Sequence, residues 1–237
     1  METANYTGVS IVGLLALDID ATIETDLRSH LEGEDIEIST ARMVRETRSP
    51  DDPYRDMTAS IEPAVKGLLP TSEMDAIVFG CTSAAMTLGV ENIREIIGNI
   101  RPGVPVIDPA SACISALSRA GIKRIGLITP YSKKLHEEVH DFLENSGFSV
   151  RKSQRFELDH SYRYQQPKIS DYIGLCKMIA DDDCIDGIFI SCTALRTASL
   201  LRFIRDDIRI PVFSSNQVVA EEVILAMRSS GKYVKNR

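Results

Sequence analysis

Two kinds of hydrophobic pattern alternate along the chain. Short, nearly continuous apolar or β-branched runs occupy residues 10–17 (SIVGLLAL), 34–42, 76–80 (AIVFG), 105–108, 124–130 (RIGLITP), 149–158, 187–191 (GIFIS) and 211–215. Between them lie stretches whose apolar residues recur three and four positions apart, at 61–69, 91–100, 111–121, 132–147 and 200–207. The first pattern belongs to strands buried on both faces, the second to helices with one apolar stripe. Gly121 and Gly147 follow two of the helical stretches, where a C-terminal capping residue belongs. The alternation predicts an α/β fold with parallel sheets covered on both sides.

Two of the strand runs end alike. DAIVFGCT (75–82) and DGIFISCT (186–193) carry Asp, Ile, Cys and Thr at matching places. No glycine-rich linker divides the chain, so the echo predicts two similar α/β halves. We set them at residues 1–108 plus 214–237, with Cys81, and residues 109–213, with Cys192. Open parallel sheets bind ligands beyond the carboxyl ends of their strands, and both cysteines fall at such ends. Halves facing each other about a pseudo-twofold axis would set the two thiols across one cleft.

A thiol at a strand end that leads into a helix is expected to ionise more readily, because the helix N-terminus supports the thiolate. Thr82, Ser83 and Thr193 add hydroxyl and backbone donors suited to a carboxylate. Across a bound carbon, one sulfur can remove a proton while the other returns one to the opposite face. That is a racemisation needing no cofactor. Alternatively a thiolate adds to a carbon–carbon double bond and leaves after rotation. A single buried cysteine is often only a small apolar residue, and Cys113, Cys176 and Cys184 are read that way. The matched pair is what departs from that reading.

Composition narrows the partners. The 237 residues are 43% apolar and 26% charged, with net charge −7. An acidic chain without a basic, aromatic-studded patch is not expected to bind nucleic acid. VSIVGLLAL is too short to span a bilayer and is broken by Gly13, so no membrane association is expected. METANYTGVS has no basic residue and does not read as a secretory signal. Five cysteines without a C-x-x-C pair fit a reducing, cytoplasmic setting. There is no G-x-G-x-x-G and no Walker motif, and the acidic run at 181–183 reads as a solvated loop. HEEVH (136–140) matches the H-E-x-x-H zinc pattern. The apolar face of its helix is Leu135, Val139, Phe142 and Leu143, Glu137 points nearly opposite, and no third ligand follows. A surface helix with histidines turned to solvent is the better reading, and no metal site is assigned.

GCTS (80–83), SCT (191–193), RPGVPVIDP (101–109) and LITPY (127–131) resemble the Asp/Glu racemase superfamily. The likeness is to the branch of maleate cis–trans isomerase, arylmalonate decarboxylase and the ectoine-utilisation proteins. It runs from LLALDIDATIE (14–24) to SSNQ (214–217). It implies two Rossmann-like domains about a pseudo-twofold axis, an active site between them, and no metal or cofactor. Cys81 would be nucleophile or base on one face of a small-molecule carboxylate, and Cys192 its partner on the other. Tyr131 would hydrogen-bond the carboxylate, with backbone N–H groups near Thr82, Ser83 and Thr193. Members are often oligomeric, so a homo-oligomer is an expected form. Arylmalonate decarboxylase lacks the first cysteine, and Cys81 therefore disfavours plain decarboxylation.

Two departures bear on the substrate. Maleate isomerases place an asparagine where this chain has Asp20. An ionised Asp accepts but cannot donate, so Asp20 would disfavour a dicarboxylate and suit a nitrogen-bearing substrate, as in the ectoine-utilisation members. Asp20 also reads as a turn or helix N-cap residue, and Tyr131 as an aromatic at the core edge. The second departure is DHSYRYQQP (159–167), where His160 falls roughly at the place of another asparagine. After SSNQ the chain reads AEEVIL (220–225), where relatives often have an aromatic and a histidine. The expected function is a cofactor-independent isomerase or racemase of a small carboxylate, an amino-acid derivative being favoured. Maleate isomerisation and carboxylate binding without chemistry are the alternatives.

Overall fold

A computed structural model describes residues 8–44, 54, 56–70, 72–156, 168–182, 184–204 and 207–229. The first half contains β1 (Ser10–Leu17), α1 (Ile23–His30), β2 (Ile36–Met43), α2 (Met57–Gly67), β3 (Ala76–Gly80), α3 (Thr82–Leu88), α4 (Val90–Ile100) and β4 (Val106–Ile107). The second contains α5 (Pro109–Arg119), β5 (Arg124–Thr129), α6 (Lys133–Asn145), β6 (Ser149–Arg155), α7 (Ile169–Ala180), β7 (Gly187–Ile190), α8 (Ala198–Ile204) and β8 (Val212–Ser214), and α9 (Ser215–Ser229) follows.

The strands form two four-stranded sheets, ordered β2-β1-β3-β4 and β6-β5-β7-β8. All their pairings are parallel. The apolar runs become strands because both faces are covered: every residue of β3 and β7 is buried. Asp108 starts α5 by accepting a 2.8 Å bond from Ser111 N, with Pro109 in the first turn, where its missing N–H costs nothing.

Helices α1, α3, α7 and α9 were not among the helical stretches expected from the sequence. α3 is seven residues, TSAAMTL, too short to show a stripe. α9 buries Asn216, Val218, Val219, Ala220 and Val223, which lie on more than one face, so its periodicity is blurred. That burial follows from its place: α9 packs on α1 and α5 and also reaches β3, β4 and β8. One apolar cluster therefore runs through both halves, from Val12 and Leu14 of β1 through Leu117 of α5 and Val219 of α9 to Leu127 of β5 and Phe189 of β7.

Close approach of α7 to the second sheet requires a glycine. A Cβ on Gly126 of β5 would lie 2.2 Å from Ile179 Cγ2. Gly126→Ala is expected to lower stability by about 1–3 kcal/mol through overpacking. Trimming Ile179 to Ala in the same chain should remove most of that added cost, as urea unfolding of the two single variants and the double variant would show.

Candidate active site

Each sheet has one point where strand order reverses, between β1 and β3 in the first and between β5 and β7 in the second. Ligands bind beyond the carboxyl ends at such points. Asp20 follows β1 and Cys81 follows β3; Tyr131 follows β5 and Cys192 follows β7. Four of the residues singled out in the sequence thus occupy corresponding places in the two halves.

A seam of buried hydrogen bonds holds these places together. Thr193 Oγ1 lies 2.9 Å from Asp20 Oδ2 and 3.2 Å from the carbonyl oxygen of Gly80. The neighbour of one cysteine therefore touches the neighbour of the other. Thr82 Oγ1 donates to Ser215 Oγ at 2.8 Å, and the same oxygen accepts from Cys192 N at 3.1 Å. Further along, Asp26 Oδ2 of α1 accepts from Thr197 N, Thr197 Oγ1, Ala198 N and Asn216 Nδ2 at 2.7–3.1 Å. Asn216 Nδ2 also donates to Thr193 O at 2.9 Å. Because their hydroxyls serve the seam, Thr82 and Thr193 have mainly backbone N–H groups to offer a ligand. In the first turn of α3 those groups lack an acceptor within the helix.

The two thiols differ in local structure. Cys81 is the N-cap residue of α3, with Ser83 Oγ 3.9 Å from its sulfur. Cys192 is followed by a turn, and α8 begins only at Ala198. The expectation that a helix start would favour its thiolate therefore fails for Cys192. Burial pushes its thiol well above the ordinary 9.0, and charge on Asp20 and then on Cys81 adds to the shift. A bond from Ala194 N–H and one from Tyr131 only partly oppose this. Cys192 also sits at φ 144°, a region that costs a non-glycine residue about 1–3 kcal/mol and occurs mainly at functional sites. Both residues are buried, Cys81 at 4% and Cys192 at 7% exposure.

Around the thiols, Tyr131 is half-buried with its hydroxyl 3.4 Å from Ser191 Oγ. Burial raises its phenol well above 10.0, and charge on Cys192, Tyr54 and Cys81 would raise it further. Tyr54, which the sequence reading missed, hydrogen-bonds Ser83 Oγ and so stands beside Cys81. Asp20 Oδ1 accepts from Thr22 N at 2.8 Å and Ile23 N at 3.0 Å, the bonds of a turn residue at the start of α1. Burial pushes its carboxyl above 3.8 against these bonds, the Thr193 bond and the charge of Arg42.

The histidines of HEEVH do not both face solvent. His136 is half-buried, and its Nδ1 bonds Thr129 Oγ1 at 2.8 Å at the end of β5. Among the described residues no group of three His, Cys, Asp or Glu side chains could hold a metal ion. Nor is any helix among them long and apolar enough to cross a membrane. His160 and the rest of 159–167 lie outside the described residues.

A family model described as arylmalonate decarboxylase matches residues 46–231. The chain belongs to the arylmalonate decarboxylase family. Among individual relatives, maleate isomerase of Alcaligenes faecalis is 22% identical over 219 residues, covering 86% of this chain and 85% of that one. The structure of maleate isomerase from Pseudomonas putida S16 with maleate, a cysteine-to-alanine variant, superimposes with a TM-score of 0.82. It is 21% identical and covers 93% of this chain and 92% of that one. A cysteine-to-serine variant of Nocardia farcinica maleate cis–trans isomerase, with a covalently bound succinylcysteine intermediate, gives a TM-score of 0.80 at 22% identity, covering 93% and 94%. Arylmalonate decarboxylase itself gives 0.75 at 16%, covering 92% of each chain. The two-sheet architecture is therefore the fold of this family.

This family member should lose stability in alkali. Cys192 and Tyr131 have folded pKa values raised above their unfolded ones. The stability they contribute is complete below the unfolded pKa and is lost as pH rises toward the folded value. Each group removes about 1.4 kcal/mol per pH unit in that window. Thermal melts from about pH 8 to 11 should fall, and Cys192→Ala should flatten the slope by about one proton's worth. Equal slopes would show that Cys192 ionises as freely in the folded chain as in the unfolded one.

Proposed function

We propose that this chain is a cofactor-independent isomerase of a small carboxylate, working through Cys81 and Cys192. The carrying observation is the 3.2 Å approach of Thr193 Oγ1 to Gly80 O, which brings the strand ends bearing the two cysteines together. Cys81 stands where a helix start supports a negative sulfur, and Cys192 is held as a neutral thiol. That division suits Cys81 as base or nucleophile and Cys192 as acid. The first-turn N–H groups at Thr82 and Ser83, together with Tyr131, would hold the carboxylate as charge grows on it.

In racemisation the Cys81 thiolate takes the α-proton, the electron pair spreads into the carboxylate, and the Cys192 thiol protonates the opposite face. Asp20 supports a nitrogen-bearing substrate, such as an amino-acid derivative of the ectoine-utilisation kind, because an ionised carboxylate attracts an ammonium group.

A second reading, cis–trans isomerisation of maleate, is favoured by the bonds that Asp20 accepts from Thr22, Ile23 and Thr193. With both oxygens engaged by the protein, Asp20 repels a second substrate carboxylate less. Here Cys81 sulfur bonds to one alkene carbon, and the π pair moves to the other alkene carbon, whose own carboxylate stabilises it. That carbon takes the proton of Cys192. After rotation Cys192 recovers the proton, the C–S bond breaks, and fumarate leaves. The succinylcysteine in the Nocardia farcinica variant is an adduct of this kind.

Cys81→Ser and Cys192→Ser should each lower kcat by about a thousandfold or more while the circular dichroism spectrum and melting temperature change little. Full turnover in either variant would defeat the two-thiol proposal. In deuterated solvent, racemisation places deuterium on the α-carbon of an amino-acid substrate, whereas the second reading converts maleate to fumarate.

A further inference from the structure

A cavity of about 530 Å³, lined by neither thiol, lies between the last turn of α1, the length of α8 and strand β8. Its size is that of small-ligand pockets. Leu201, Ile204 and Phe213 supply apolar wall, and His30, Arg202, Arg209 and Gln217 supply the main polar groups. Among the described residues no acidic side chain lines it, although the chain carries net charge −7.

The polar groups are left unsatisfied in a consistent way. Gln217 Nε2 donates to Glu221 Oε1 at 2.9 Å, which fixes the amide, while Gln217 Oε1 is buried without a partner. His30 Nε2 is likewise buried without a partner. Burial holds its imidazole below the ordinary 6.5, so the ring is neutral at pH 7 and can offer an N–H or a lone pair. Arg202 reaches Glu32 only at 3.6 Å, with both side chains largely exposed, a pairing worth little. Arg209 pairs with no acidic group among the described residues. Two guanidinium groups suit an oxyanion, and a fixed amide oxygen in need of a donor suits a hydroxyl or N–H.

We propose that this cavity is a second binding site, for a small carboxylate that also carries a hydroxyl or amino group. It abuts the seam. Ala198, whose N–H is held by Asp26, lines it, and Gln217 lies two residues from the serine that binds Cys192 N. Occupancy therefore bears on the two elements that hold the second thiol, whatever reaction the thiols perform.

The test is amide NMR titration of the intact chain with L-malate and L-aspartate, using succinate as the analogue that lacks the extra donor. Expected are saturable shifts at His30, Arg202 and Gln217, with succinate about tenfold weaker. Arg202→Gln with Arg209→Gln, both surface changes, should weaken binding at least about tenfold with the melting temperature retained. If that pair unfolds the chain, Gln217→Leu should abolish the preference for malate over succinate. Shifts confined to the surroundings of Cys81 and Cys192, or none with either probe up to about 50 mM, would overturn the proposal.

Discussion

The bond from the Thr193 hydroxyl to the Asp20 carboxylate is the constraint on which the site's geometry rests. It lies in a buried place where neither group can turn to water, so losing one partner leaves the other unsatisfied at a cost of about 1–3 kcal/mol. The Thr82–Ser215–Cys192 chain and the Asp26 cluster add bonds of the same kind. Each crosses between elements remote in sequence. Together they fix the two reversal points against each other and hold Cys192 at a dihedral angle its own backbone disfavours. Apolar packing through α5 and α9 brings the sheets together; the polar seam selects the register in which they meet.

Near-symmetry of architecture does not give symmetric chemistry. The two reversal points correspond strand for strand, yet a helix begins directly after Cys81 and a turn follows Cys192. A pair of identical side chains thereby acquires unlike environments, which suits the division of base and acid proposed for them.

Most strands were legible as short apolar or β-branched runs, and every strand lies on an expected run, although β2 and β6 carry many polar and charged residues. The placement of the two cysteines at corresponding strand ends was legible because the runs they terminate echo each other. The helix α9 was not, since packing on several sides removes the polar face that betrays a helix. Asp26 and Asn216 gave no signal: they meet across 190 residues, and nothing local marks either as buried. Tyr54 was hidden for the same reason, its partner Ser83 being 29 residues away. The fate of the Cys192 thiol could not be read from Ser-Cys-Thr, because it turns on whether a helix starts at once or six residues later.

The position of α9 has a consequence for the order in which a nascent chain matures. It is made after every other element described, yet it packs on α1 and α5 and contributes Ser215 and Asn216 to the seam. A ribosome-bound chain with both sheets already paired would still expose the apolar faces of α1 and α5. The two halves can therefore close only once α9 has emerged, and until then the chain carries exposed apolar surface of the kind that favours aggregation.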